Sequence, residues 1–520
     1  MDFINDYKSA LKTCLLNNNL TYGKELIEGF HRTNHSPDAE CLYLESAYHY
    51  YSANYVFALY YADLCFIKDN SFEPAHEIIS YLTEFHGDFS DYSPTFTKDV
   101  SSYNRQLTIL GFNGYLPIVD YTVNYMKKIL ETLGHTVYII NVKQSTSFSI
   151  ESLLNKTDLI YEFNNMGLNF IDENGNDLTI KKNIPIYSYM FDSPMYFADE
   201  FINYPPNKTA ILPDRNHVKY INRFYKNVKD SFFVPLGSEE KPGDEIAFAD
   251  RPIGCIYLGS LKEAPAHLED AFSKRLFEYQ KKHTDLPTED AIETFYKSLS
   301  TKEYRELLPE VAKKYPVKRT DDDFILRLNA HYCFADLKIN SYFRKRLVEV
   351  LVEAGIDVEV YGNGWNDERL KSNPHFKYGG LISQDECITK MHNSRFILNS
   401  MPWFKDGTHD RVYNAMLAKG LCITDKSKYL CEEFTDNNDI VFYDLNDMNK
   451  LPDIIRYYEN NPTIAQKIID SSYDQAVLKH SWANRTIDIL SHFFSVIETN
   501  TVVDTCMEQY QKHLRRKEKI

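Results

Sequence analysis

Ser400–Asp425, SMPWFKDGTHDRVYNAMLAKGLCITD, reads as a single loop, helix and strand. Lys405-Asp406-Gly407-Thr408-His409-Asp410 is a polar loop with one glycine, and apolar residues at helical spacing run from Arg411 to about Lys419. Gly420 ends that helix, and Leu421-Cys422-Ile423-Thr424 is a short buried strand with the carboxylate of Asp425 at its end. A helix that starts straight after a small polar loop turns unpaired backbone N–H groups and its positive dipole end outward, which suits a phosphate. His409 and Arg411 stand at that mouth as further donors. The plainer reading is an ordinary αβ unit in which Thr408 or Asp410 only caps the helix.

The same alternation extends in both directions. Around this unit lie apolar strands at Ile253–Gly259, Val358–Tyr361, Phe396–Asn399 and Ile440–Tyr443, and helical sequence from Leu451 to about Ile497. The helix expected after the Ile253 strand is Tyr342 to Ala354, closed by Gly355, which leaves 264–335 as a charged helical insertion. Upstream, Leu107–Gly111, a loop at Phe112-Asn113-Gly114-Tyr115, an amphipathic run from Ile118 to Leu133, and Thr136–Ile140 form a βαβ unit. Further strands follow at Leu159–Phe163, Ile184–Met190, Thr209–Leu212 and Ser231–Val234, and the acidic, proline-bearing Ser238–Pro252 reads as a linker. Two Rossmann-like halves therefore face each other. Ligands of such sheets bind beyond the carboxyl ends of the strands, in the cleft between the halves.

Residues 1–98 carry almost no strand signal. Leu42, Ser46, Ala47, His49, Ala58, Ala62 and Cys65, then Asp69-Asn70 and Pro74-Ala75, trace two helices and a turn that resemble one tetratricopeptide unit, without that family's Trp and Gly positions. Helices at Tyr7–Leu16 and Leu20–His31 should stack on it, either to bind a partner or to cap the next domain. The domain reading is 1–98 helical, 99–240 N-terminal Rossmann-like, 250–480 C-terminal Rossmann-like with the insertion, and 481–520 a C-terminal helix and basic tail.

The net charge of −16 argues against a nucleic-acid surface, and the basic cluster Lys512–Lys519 is a solvated helix end or a contact for an anionic surface. Nine scattered cysteines with no CxxC pair fit a reducing, cytoplasmic compartment. There is no secretory signal pattern and no apolar run of about 18 residues. Asp321-Asp322-Asp323 sits in charged helical sequence and reads as a helix start, not a metal motif. Neither a metal nor a cofactor is expected, and Gly111-Phe112-Asn113-Gly114 is neither a dinucleotide fingerprint nor a Walker loop.

Tyr257-Leu258-Gly259-Ser260, Val360-Tyr361-Gly362-Asn363-Gly364-Trp365, His375–Gly380, Ser394–Asn399 and the 400–425 segment together resemble the GT-B "glycosyl transferases group 1", CgeB-like family. Met190–Pro194 and Phe233–Gly237 look like its companion N-terminal half. The resemblance implies an α/β GT-B fold that transfers a sugar from a nucleotide-sugar donor on the C-terminal half to an acceptor on the N-terminal half. It implies donor contacts from Gly259, Gly362, Asn363, Gly364, Trp365, Asp406, Gly407, Thr408, Asn414 and Asp425, and acceptor-side contacts from Asn113 and Gly114. Asp192, as acceptor base, and His409 and Arg411, on the leaving diphosphate, are the expected catalytic groups. Many relatives carry glutamates where this chain has Asp406 and Asn414, so a non-catalytic subunit that presents an acceptor is the competing reading; an epimerase or phosphorylase finds no acid–base pair or phosphate site of its own. The helical N-terminus suggests a protein or cell-surface glycan as acceptor.

Overall fold

The computed structural model describes residues 3–17, 19–33, 35–52, 61–62, 64–65, 68–69, 71–72, 74, 105–114, 117–142, 150–168, 170–172, 175–239, 245–264 and 269–496. The second helix of the tetratricopeptide-like pair falls largely outside these residues, as does the basic tail. Three N-terminal helices, Phe3–Leu16, Leu20–His31 and Ala39–Tyr51, pack through Tyr7, Leu11, Ile27, Phe30 and Leu44. Lys24 ties them to Glu263 of the C-terminal half at 2.9 Å.

The N-terminal sheet contains β1 (Thr108–Asn113), β2 (Thr136–Asn141), β3 (Leu159–Phe163), β4 (Ile186–Tyr189), β5 (Lys208–Leu212) and β6 (Asp230–Phe233), in the order β2-β1-β3-β4-β5-β6. The C-terminal sheet contains β7 (Ile253–Leu258), β8 (Val358–Tyr361), β9 (Phe376–Tyr378), β10 (Ser394–Leu398), β11 (Leu421–Asp425) and β12 (Val441–Tyr443), in the order β12-β11-β10-β7-β8-β9. Every pairing is parallel, and the near-continuous apolar runs of the central strands reflect helices covering both faces. These are the two Rossmann-like halves of a GT-B fold. Their strand carboxyl ends meet, because Asp214 beyond β5 bridges to Gly407 beyond β10.

Three segments pack differently from the sequence-based expectation. The insertion forms five short helices between Ala271 and Arg327, and their Phe272, Leu276, Ile292, Phe295, Tyr296 and Phe324 join a core with Met190, Phe201, Tyr220 and Ile221. It is inserted in the second half yet covers the first. The expected helix at 342–354 begins ten residues earlier, as Tyr332–Glu353. Its first turn is buried in that same core through Tyr332 and Ala335, and its later turns, Leu347, Val348 and Leu351, lie in the core of the C-terminal half. This helix therefore bridges the halves. Residues 482–496 are also helical and return to the N-terminal sheet, burying Trp482, Ile489, Leu490 and Phe493 beside Val123 and Tyr187.

The linker is not solvated at its ends. Ser238 and Glu239 are buried, Phe248 packs edge-on against Phe396, and the buried Arg251 donates to the carbonyl oxygens of His392 and Ser394. Asp321 caps the helix Asp322–Arg327, accepting from the N–H of Phe324, as its position suggested.

Candidate functional site

The helix of the 400–425 segment runs from Asp410 to Leu417, and His409, not Thr408 or Asp410, takes the N-cap position. At its other end Lys419 adopts a positive φ of 55°. Gly420 packs closely on Ile397: a Cβ there would lie 2.2 Å from its Cδ1, so that side chain would have to move. Arg411, in the first turn and mostly buried, donates from Nη1 to Asn399 Oδ1 at 2.9 Å and from Nη2 to His409 Nε2 at 3.0 Å. His409 Nδ1 accepts from the backbone N–H of Arg411 at 3.2 Å, which makes the cap, and it also lies beside the Asp410 carboxylate. Burial, then the charge of Arg411, holds the His409 imidazole below its ordinary pKa. With both ring nitrogens engaged by Arg411, His409 caps the helix and orients the guanidinium.

A second guanidinium shares this space. Arg344, on the bridging helix, donates to the carbonyl oxygen of Ser260 at 2.7 Å and lies 5.0 Å from the Trp403 ring centre. Its Nε is buried without a hydrogen-bond partner. Burial lowers its pKa and the like charge of Arg411 adds to the effect. Two guanidiniums close enough to repel each other, both at strand ends of the C-terminal half, form a place for an anion.

Nearby, Asp425 is buried, with Oδ1 accepting from the N–H of Met401 at 2.8 Å and Oδ2 unpartnered. Burial pushes its pKa up to about 6. Across the cleft, Asp192 follows β4 and is exposed. Asn164, at a positive φ of 48°, fixes it by donating to Asp192 Oδ2 at 3.0 Å and accepting from the N–H of Phe191. Ser193 caps the following turn, its Oγ accepting from the N–H of Met195.

Several predicted donor contacts occupy structural positions. Trp365 is fully buried, its indole N–H donating to Gly259 O at 2.9 Å and its ring set edge-on to Tyr257, so it is a core residue and not the wall of a base pocket. Gly362 (φ 122°) and Gly364 (φ 87°) let the loops after β7 and β8 cross: a Cβ on Gly364 would lie 2.2 Å from Leu261 O. Asn363 keeps a buried, unpartnered Nδ2 in that loop. Asp406 and Gly407 clamp the two halves. The N–H of Asp406 donates to Asp214 Oδ2 at 2.9 Å, its carboxylate takes Arg215 at 3.0 Å, and a Cβ on Gly407 would lie 2.1 Å from Pro213 O. Thr408 is fully buried. Asn414 accepts from Ser238 Oγ at 2.6 Å and donates to Asp410. Asn113 and Gly114 stand at the end of β1, where Gly114 takes φ 94° and its N–H donates to Asp120.

Sequence reasoning missed Asn164, Asp214, Arg215, Asp336, Asn340 and Arg344. Asn164-Asn165 right after a strand was a legible signal for positive φ. The others gain their places only through tertiary contacts: Asp214 and Arg215 with Asp406, Asp336 with Tyr196 and Asn340, and Arg344 with Ser260 and Trp403. Among the described residues no group of three or more His, Cys, Asp or Glu gathers as metal ligands, and no helix is long and apolar enough to cross a membrane.

Residues 344–491 match the glycosyl transferase-like family. No curated protein matches the chain. Among solved structures, a glycosyltransferase from Rickettsia africae aligns at 12% identity over 76% of this chain and 99% of its own, with a TM-score of 0.44. Anabaena HepE, crystallised with UDP and glucose, aligns at 10% identity over 75% of this chain and 100% of its own, with a TM-score of 0.41. Sucrose-phosphate synthase from Thermosynechococcus elongatus aligns at 9% identity over 76% and 100%, with a TM-score of 0.41.

Proposed function

We propose, from the match of residues 344–491 to the glycosyl transferase-like family, that this chain moves a sugar from a nucleotide-sugar donor to an acceptor hydroxyl. The observation that carries the reading is the Arg344–Arg411 pair at the strand ends of the C-terminal half. Departure of a nucleoside diphosphate builds negative charge on the leaving oxygen, and preorganised cations aimed at that oxygen lower the barrier. His409 and Asn399 hold Arg411 in place, and Ser260 O holds Arg344. The unpartnered Asn363 Nδ2 and Asp425 Oδ2 are assigned to the nucleoside and sugar hydroxyls. For the acceptor we assign a protein or cell-surface glycan, supported by an open hollow of about 380 Å³ on the first two helices, where Asp6, Asn17, Asn19 and Tyr22 stand beside Ala10 and Cys14.

A thermal-shift panel of UDP-, GDP- and dTDP-sugars on wild type and Arg411→Ala, with nucleoside diphosphate release measured alongside, tests this. One donor should raise the wild-type Tm. Losing charge-assisted hydrogen bonds worth about 1.5–3 kcal/mol should weaken binding by roughly 10- to 150-fold in Arg411→Ala. A wild type stabilised by no nucleotide sugar would refute the transferase reading, and one that binds without ever releasing diphosphate would favour the acceptor-presenting subunit.

A further inference from the structure

Asp336, Asn340 and Arg344 lie four residues apart on the bridging helix and so share one face. Each has a side-chain atom buried without a hydrogen-bond partner: Asp336 Oδ1, Asn340 Oδ1 and Arg344 Nε. Buried polar atoms are nearly always paired in folded proteins, so three orphans along one stripe mark a surface shaped for a polar, hydroxyl-bearing ligand. The stripe spans the cleft. Asp336 feels the charge of Asp192 from the N-terminal half, and Arg344 feels that of Arg411 from the C-terminal half.

Asp336 is 4% exposed, and its two oxygens are treated unequally. Oδ2 accepts from Tyr196 Oη at 2.7 Å and from Asn340 Nδ2 at 3.0 Å. Tyr196 is itself braced edge-on by Tyr332, whose hydroxyl lies beside both Ser193 and the Asp336 carboxylate. One oxygen is anchored and the other is left without a donor. We propose that Asp336 is the general base of the transfer, taking the acceptor's hydroxyl proton on Oδ1 while Tyr196 and Asn340 hold Oδ2; this rests on the transferase reading above. In the step, the acceptor O–H proton moves to Oδ1 and the freed oxygen lone pair forms the bond to the anomeric carbon. The bond from that carbon to the diphosphate oxygen breaks, and its electron pair leaves on the diphosphate beside Arg344 and Arg411.

The surroundings suit a base that works near neutral pH. Burial pushes Asp336 up to about 6, with Asp192 adding to the rise and Tyr196, Tyr332 and Arg344 opposing it. Glu289, on the insertion, is the further acid whose charge couples to Asp336. Asp192, the base expected from the sequence, is exposed and has Oδ2 committed to Asn164.

The test measures nucleoside diphosphate release from UDP-glucose, UDP-N-acetylglucosamine, GDP-mannose and dTDP-glucose, with water as acceptor, for wild type, Asp336→Asn, Asp192→Asn and Tyr196→Phe. Circular dichroism checks each fold. Asp336→Asn should keep the donor-induced thermal shift and lose about 10²- to 10⁴-fold in turnover, and the acidic limb near pH 6 should disappear with it. Tyr196→Phe should move that limb to higher pH, because the lost hydrogen bond favours the carboxylate. Because Tyr196→Phe and the wild-type limb report on Asp336 in a folded chain, a misfolded Asp336→Asn does not shield the proposal. An Asp336→Asn enzyme within threefold of wild type, a wild-type profile flat through pH 6, or a limb lost only in Asp192→Asn overturns it while the transferase reading stands. A wild type that neither binds nor turns over any of the four donors overturns both.

Discussion

Replacing Gly407 with alanine places a Cβ 2.1 Å from Pro213 O and 2.7 Å from Asp214 Cα. Both neighbours are backbone and cannot swing aside. An ordinary carbon–oxygen contact is about 3.3 Å, so the strand ends of the two halves must part by roughly 1 Å. That parting breaks the bond from the N–H of Asp406 to Asp214 Oδ2 (2.9 Å) and the one from the N–H of Arg215 to Asp406 O (3.1 Å), and it stretches the Arg215–Asp406 ion pair (3.0 Å). A charge-assisted bond is worth about 2 kcal/mol and a neutral one about 1. The ion pair adds about 0.5, discounted because the Arg215 side chain is 34% exposed. Gly407→Ala should therefore cost about 3–4 kcal/mol, read as the fall in urea midpoint at constant m. Arg215→Ala acts on the same contact, so the double variant should fall short of the sum of the singles by about 1–2 kcal/mol. A Gly407→Ala protein within 0.5 kcal/mol of wild type, or a strictly additive pair, would refute a role for Gly407 at the closure and return it to the donor loop.

Asp425 is raised from 3.8 to about 6, so the native state binds its proton more tightly than the unfolded chain. Its stabilising contribution is complete below pH 3.8 and is lost as pH rises through 6. Asp425→Asn should lose less stability than wild type between pH 4 and 7.5, by about 2–3 kcal/mol in denaturant titrations at the two pH values; parallel curves would rule this out. Trp365→Phe removes the indole bond to Gly259 O and leaves that half-buried carbonyl without its donor, at a cost of about 1–2 kcal/mol. Its donor-induced thermal shift should match that of wild type, and a shift abolished in a folded Trp365→Phe protein would return the ring to the nucleotide pocket.

The strands and the alternating architecture were legible because periodicity is local. Leu159–Phe163 (LIYEF) and Leu421–Asp425 (LCITD) are short, mostly apolar runs between turn signals, whatever packs on them. The place of Arg411 at a helix start was legible because a polar loop entering a helix is itself a local pattern. The roles of Trp365, Asp406 and His409 were not. A tryptophan at a strand end, an aspartate in a glycine loop and a histidine before an arginine are each compatible with a ligand contact and with packing. What decides between them is a partner: Gly259 O for Trp365, Arg215 for Asp406, and the Arg411 guanidinium for His409.

The sequence alone therefore determined two Rossmann-like halves, helices ahead of them, and a loop–helix–strand segment at the cleft, since hydrophobic spacing and turn residues act within about ten residues. The tertiary structure decided that the charged insertion covers the opposite half, that the helix after it bridges the cleft, and that this helix carries Asp336 toward Asp192 and Arg344 toward Arg411. Those contacts join residues far apart in the chain, 192 positions apart for Asp406 and Asp214. The charge and hydrogen-bonding state of each group comes from partners and burial that no local pattern encodes.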